Sequence, residues 1–328
     1  MLKDPFSAGN ITLNNRLVMP PMATRLSTED GKVTEPLLEY YAKRARGGRI
    51  GMIVVEHSYI DLSGKASAGQ LSIASDDDIK GLRRLAEVIR QSGTRAVAQI
   101  NHAGSRAPFE LTGRKAVSAS ALIHPRELKR GEEVIPEEMT REEIGTIVQK
   151  FAAAAARAEE AGFDGAEIHC AHGYLLNQFY SPLTNHRTDE YGGSLEKRTA
   201  LLREVTAAVR KTVGQDFMIS VRLGGCDYRE GGSTVEDAVY AAAEIEKTGA
   251  DMISVSGGMC GYVREGHDEP GYFQDMSRAI REAVGIPVLL TGGIKKAEEA
   301  ENLLESGAAD LIGVGRELLK DPYWADKI

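Results

Sequence analysis

Apolar residues fall along this chain in two alternating rhythms. Short, continuous, β-branched runs are each followed by a longer stretch in which apolar residues recur at helical spacing. The first run, residues 16–22, is stopped by Pro20 and Pro21, which cannot donate to a strand ladder. A helix is predicted over 36–47, with Thr34 as N-cap, Pro36 near the first turn and Gly47-Gly48 as the stop. Strands follow at 50–60 and 94–100, and between them a helix over 76–91 opens on acidic residues. Residues 105–139 break the rhythm, mixing Gly, Pro and charge over a length too great for a plain connection, so they read as an inserted lid or binding loop after strand three. Thr140 and Glu143 then form the signature of a capping box, and an Ala-rich helix over 144–161 runs to Gly162.

The second half repeats the alternation more cleanly. Strands are predicted at 165–169, 217–223, 250–256, 287–291 and 310–314, and helices at 195–213, 234–248, 276–283, 297–306 and onward from Arg316. Eight such β/α units without a Pro/Ser linker or charge run between them argue for an α/β fold, a single (β/α)8 TIM barrel spanning residues 1–328, rather than a doubly wound sheet.

Composition narrows the function classes. With 328 residues and 42% apolar content the chain can bury a large core, and its net charge of −8 argues against a nucleic-acid or anionic-membrane surface. No apolar window is long enough for a membrane span and the N-terminus has no export-signal core. Cys170, Cys226 and Cys260 are widely spaced and form no CxxC pair, which suggests reduced thiols in a cytoplasmic protein rather than a disulfide framework or zinc site.

Barrel enzymes carry their chemistry at the carboxyl ends of the strands, and the candidate residues fall there. Strand four runs into His169, His172 and Tyr174, two nitrogen donors and a phenol able to hold a carbonyl oxygen and deliver a proton to a neighbouring carbon. Met22, Ala23 and Arg25 follow strand one, Gln99 and His102 end strand three, and Arg222 lies in strand five. Gly292 and Gly293 follow strand seven, and Gly315 and Arg316 follow strand eight, the two loops in which barrels commonly bind phosphate through exposed backbone N–H groups. Plainer readings stand beside these. The histidine pair could be core residues, or metal ligands lacking a third partner; Tyr174 could simply pack; Arg222 could be a structural ion pair and Gln99 a satisfied core amide. His57, ending strand two, either touches a cofactor bound at the mouth or just fills the barrel mouth.

The segments Leu13-Asn14-Asn15-Arg16-Leu17-Val18-Met19-Pro20-Pro21-Met22, His169-Cys170-Ala171-His172-Gly173-Tyr174-Leu175, Asn185-His186-Arg187-Thr188-Asp189-Glu190-Tyr191-Gly192-Gly193-Ser194 and Gly315-Arg316-Glu317-Leu318-Leu319 resemble the Old Yellow Enzyme family of FMN-dependent ene-reductases. The resemblance covers essentially the whole chain, and Glu39 to Gly48 is most similar to the flavin domain of 2-enoate and dienoyl-CoA reductases. It implies that Gly292, Gly293, Gly315 and Arg316 hold the FMN phosphate, that Gln99 bonds the pyrimidine edge, that Arg222 places positive charge near flavin N1, and that Met22 and Ala23 line the flavin beside N5. His169 and His172 would grip the carbonyl oxygen of an α,β-unsaturated substrate, hydride would pass from N5 to the β-carbon, and Tyr174 would protonate the α-carbon. NADH or NADPH would reduce the flavin in an earlier, ping-pong half-reaction, and Arg25 is placed on the substrate side. The expected partner is a small-molecule alkene, with neither nucleic acid nor membrane, and a homo-oligomer is left open.

Ala23 stands where many members carry a cysteine or threonine that tunes the flavin. The iron–sulfur cysteine cluster of the larger enoate reductases is not in this sequence, so electrons are expected directly from a nicotinamide unless the chain belongs to a longer protein. Two other readings on the same scaffold are an amine-oxidising flavoprotein of the trimethylamine dehydrogenase type and a flavin or electron-transfer module of a larger iron–sulfur enoate reductase. The Asn185 to Ser194 run, dense in turn formers, reads as a loop pinned by its own side chains rather than as catalytic.

Overall fold

A computed structural model describes residues 1–131 and 134–328. Eight parallel strands close into a barrel: β1 (Leu17–Met19), β2 (Met52–Tyr59), β3 (Arg95–Asn101), β4 (Gly165–Cys170), β5 (Met218–Cys226), β6 (Met252–Gly257), β7 (Val288–Thr291) and β8 (Leu311–Gly313), which pairs back onto β1. All eight are buried along almost their whole length, which is why they read as continuous apolar runs. Around them lie α1 (Glu35–Ala45), α2 (Ile79–Arg90), α3 (Arg141–Glu160), α4 (Ala200–Val213), α5 (Val235–Lys247), α6 (Gln274–Ala283), α7 (Ala297–Glu305) and the short α8 (Arg316–Lys320). A hairpin, Phe6–Ala8 with Ile11–Leu13, precedes β1, and Ala8, Ile11 and Leu13 pack with Val18, Met52, Val97, Met218 and Met252.

Local signals explain the helix starts. Thr34 accepts from the Leu37 N–H, and the capping box of Thr140 and Glu143 forms as expected. Several boundaries differ from the pattern, among them these three. β1 ends at Met19 because Pro20 and Pro21 have no N–H for the ladder, and residues 20–22 instead line the cleft at the barrel mouth. β5 continues to Cys226, three residues beyond the expected end. The helix expected over 195–213 is divided into Leu195–Arg198 and α4, with Thr199 between them.

The insertion between β3 and α3 has structure of its own: helices Phe109–Thr112 and Pro125–Arg130, and a parallel pair in which Val117–Ser118 meets Glu137–Glu138. Its lack of periodicity reflects how it is held. Arg187 donates to the carbonyl oxygens of Ala119 at 3.0 Å and Met139 at 2.7 Å, while Asp189 binds the same guanidinium at 2.6 Å. Asn185 donates to Phe179 O at 2.6 Å and Tyr191 O at 2.7 Å, so the 185–194 run is a pinned loop supporting the insertion. Among the described residues no helix is long and apolar enough to cross a membrane.

Candidate active site

At the carboxyl ends of the strands lies a cleft of about 410 Å³. Its lining includes Met22 and Ala23 after β1, His57 on β2, Gln99 on β3, His169, His172 and Tyr174 at the end of β4, and Arg222 on β5. Gly292, Gly293, Gly315 and Arg316 close the far side, with Tyr262, Tyr272 and Thr291. Of the candidates, His102 and Arg25 are placed outside this lining, His102 buried behind the end of β3, and Arg25 on the surface. The φ of 60° at Arg25 turns the chain away, and its carbonyl packs against Gly69. Cys170 is fully buried in the core.

The β4 end is shaped by backbone. His172 has φ 59°, a left-handed conformation uncommon for a residue with a Cβ, and its N–H donates to Gly257 O at 3.2 Å. That turn sets the His172 ring edge-on to His169, with centroids 5.1 Å apart. Tyr174 stands edge-on to His169 at 5.2 Å and stacks on His57 at 5.4 Å, while the Arg106 guanidinium covers its ring at 5.0 Å. The short helix Leu175–Tyr180 behind them is tied down by Gln178, whose amide donates to Gly173 O at 2.7 Å and Ala103 O at 3.1 Å and accepts from the Ser105 N–H at 3.0 Å.

Burial makes the imidazoles neutral. Desolvation holds His169 and His172 well below the ordinary histidine range, and the nearby Arg222 guanidinium acts in the same direction on both. His57 is lowered to about 4, again by burial with Arg106 adding to it. Each ring therefore offers one N–H. His169 is buried at 2% exposure, and its Nδ1 has no partner among the described residues. His172 Nε2 meets Ser256 Oγ at 2.7 Å.

Arg222 decides between ion pair and ligand contact. It is 4% exposed, its closest side-chain contact is donation to Ser256 Oγ at 3.4 Å, and its Nε and Nη1 have no partner among the described residues. Glu167 lies near enough to act on its charge but is itself engaged by Gln99 at 2.9 Å and Ser220 at 3.0 Å. A guanidinium with two unsatisfied nitrogens beside a cleft is costly unless an acceptor meets it there. Gln99 is both a satisfied core amide and part of the lining. On the far wall a Cβ added at Gly292, φ 116°, would come within 2.7 Å of the Tyr272 ring. Arg316 donates to the Tyr272 hydroxyl at 3.3 Å, and that hydroxyl donates to Tyr262 O at 2.6 Å.

The model of the NADH:flavin oxidoreductase / NADH oxidase family matches residues 1–328. The chain belongs to this family, that of Old Yellow Enzyme. It is 40% identical to an NADH oxidase of Thermoanaerobacter brockii over 97% of this chain and 49% of that protein. With an NADPH dehydrogenase of Bacillus subtilis it shares 38% identity over 98% of this chain and 92% of the relative. The solved Old Yellow Enzyme homologue of Zymomonas mobilis superposes with a TM-score of 0.86 at 29% identity, over 99% of this chain and 92% of that one. The chain spans about half the length of the first two curated relatives it matches, 49% and 48%.

Members of the Old Yellow Enzyme family are oxidoreductases that carry FMN and draw on NADH or NADPH, and the cleft's donor set fits such a cofactor. The unpartnered nitrogens of Arg222 call for an electron-rich acceptor, and Gly292, Gly293 and Gly315 with Arg316 form a wall on which a phosphate could sit. The sequence left His57 open between touching the flavin and filling the barrel mouth, and gave no reason to single out Ser256 or Tyr272. Ser256 and His57 do carry one signal, a polar residue at the end of an apolar strand; Tyr272 lies in a loop with no pattern.

Proposed function

We propose that this chain is an FMN-carrying barrel that reduces activated C=C bonds of α,β-unsaturated carbonyl compounds with NAD(P)H, in two half-reactions at one cleft. The observation that supports it most is the trio at the end of β4: two neutral imidazoles 5.1 Å apart, one with a buried unpartnered nitrogen, and a phenol 5.2 Å from it. In this reading residues 1–328 form one cofactor-binding unit. Bound FMN supplies the redox chemistry, accepting hydride from the nicotinamide and yielding it to the alkene. His169 and His172 donate to the substrate carbonyl oxygen, where uncharged donors polarise the alkene without being neutralised by it. Tyr174 gives its proton to the α-carbon. Arg222 and Gln99 hold the flavin ring, Gly292, Gly293, Gly315 and Arg316 its phosphate, and Met22 and Ala23 line one face.

Among the described residues the cleft lining has two arginines and no carboxylate, which weighs against a cationic amine as substrate. A second reading, a flavin module of a longer reductase, draws on the half-length match to the first relatives. The test is an anaerobic titration. Flavin absorption near roughly 450 nm should bleach with NADH or NADPH and return on adding cyclohexenone. Bleaching without return would leave the electron-transfer module; no flavin at all would sink both.

A further inference from the structure

His57 has its hydrogen-bonding state fixed from outside the cleft. The backbone N–H of Ala66, which can only donate, meets Gln70 Oε1 at 2.6 Å, so the other end of that side chain is the amide nitrogen. This nitrogen lies 3.0 Å from His57 O, which can only accept, and 3.1 Å from His57 Nδ1. Asn101 Nδ2 lies 3.2 Å from the same Nδ1. Nδ1 is therefore an acceptor, and turning the ring over would set a carbon against two amide groups. A neutral imidazole accepting at Nδ1 carries its hydrogen on Nε2. Burial keeps this ring neutral, with its pKa lowered to about 4. Nε2 has no protein partner among the described residues, and the ring lines the cleft against Tyr174 and edge-on to His169 at 6.3 Å.

The cleft thus holds three neutral imidazoles in a row, His57, His169 and His172, with His169 in the middle. A carbonyl oxygen has two lone pairs, and in the reading above His169 and His172 take both. A third N–H donor on the Tyr174 side needs a second acceptor. We propose that His57 is a further substrate-binding residue, held as an Nε2–H donor by Gln70, and that it selects alkenes whose activating group carries two acceptor oxygens, such as a carboxylate or a nitro group. Gln70 is then a positioning residue: it acts only through the tautomer it imposes.

This inference rests on the ene-reductase reading, but its test does not need turnover. Oxidised FMN-loaded protein is titrated with 2-cyclohexenone, 1-nitrocyclohexene and cyclohex-1-ene-1-carboxylate, following the flavin spectrum. His57→Phe and Gln70→Glu are compared with wild type, the second because a carboxylate at 70 would draw the imidazole hydrogen to Nδ1. Expected is a loss of about tenfold in affinity for the two-oxygen ligands relative to cyclohexenone in both variants, the size of one hydrogen bond. Nitrogen-15 spectra of labelled histidine should show the Nε2–H tautomer in wild type and its loss in Gln70→Glu. An unchanged affinity ratio in both variants overturns the proposal, as does a fall in FMN affinity with the ratio intact, which would give the His57 hydrogen to the cofactor. A wild type that binds these ligands with the expected ratio yet fails to reduce them would count against the ene-reductase reading alone.

Discussion

Ser256 Oγ lies 2.7 Å from His172 Nε2. The same oxygen receives the Arg222 Nη2–H at 3.4 Å, a bond that leaves the hydroxyl's own hydrogen free to be donated. In the proposed reading His172 donates to substrate from Nδ1, so that Nε2 accepts this hydrogen and one serine orients both the His172 imidazole and the Arg222 guanidinium. Ser256→Ala should weaken 4-hydroxybenzaldehyde, a phenolic probe ligand, by about fivefold to tenfold, one hydrogen bond and a freed tautomer. Ser256→Thr, which keeps the hydroxyl, should stay close to wild type. Equal affinities for the alanine variant and wild type would show that the serine orients nothing.

Tyr174→Phe keeps the ring that stacks on His57 and lies under Arg106, and removes only the hydroxyl. Alkene reduction measured by stopped flow should therefore slow by about 10²-fold, as expected for loss of a general acid. Flavin reduction by NADH or NADPH, which needs no proton at that position, should stay within about twofold of wild type. Parallel losses in both half-reactions would mean that the tyrosine shapes the cleft rather than supplying a proton.

Gly292 combines a φ of 116° with the Tyr272 ring 2.7 Å from where a Cβ would lie. Alanine there carries backbone strain of about 1–2 kcal/mol and displaces the tyrosine whose hydroxyl accepts from Arg316. Gly292→Ala should retain FMN at least about tenfold more weakly, read by fluorescence as the flavin is released. Unaltered retention would remove this wall from the phosphate site.

The barrel was legible because its strands are buried on both faces and its helices on one, so the alternation of rhythms is itself the fold. Thr34 and Thr140 marked helix starts for the same local reason that they cap them. The inserted segment was not legible, since it is held by Arg187 reaching the carbonyl oxygens of Ala119 and Met139 across many residues of chain, a relationship that leaves no period. In the cleft, the strand-end residues could be found by position. Gln70 could not, because its effect on His57 depends on a loop geometry that brings Ala66 N–H to one end of its amide. The φ of Arg25 was equally invisible, and it removes from the lining a side chain that spacing alone had put there.

His102 gives a pH test separate from the cleft. It is 1% exposed, its Nδ1 accepts from the Gly104 N–H at 3.1 Å and its Nε2 meets Ser63 Oγ at 3.2 Å. The Ser63 hydroxyl donates in turn to Asp61, which Lys150 also engages. A serine beside a histidine and an aspartate suggests hydrolytic chemistry, but here the histidine lone pair is taken by backbone and the serine hydrogen by the aspartate, so the ring cannot activate the hydroxyl. Burial lowers the His102 pKa from 6.5 to about 4, the Lys150 charge acting the same way and Asp61 against it. Because the folded pKa is the lower one, the unfolded chain binds a proton that the folded chain refuses between these two values. The stability this histidine contributes is thus present above pH 6.5 and is lost as pH falls toward 4. Comparing urea unfolding of wild type and His102→Gln, the difference between the two free energies should shift against wild type by up to about 1.4 kcal/mol per pH unit across that window and level off outside it. A difference that does not vary with pH would mean that His102 titrates alike in both states and is not held neutral by the fold.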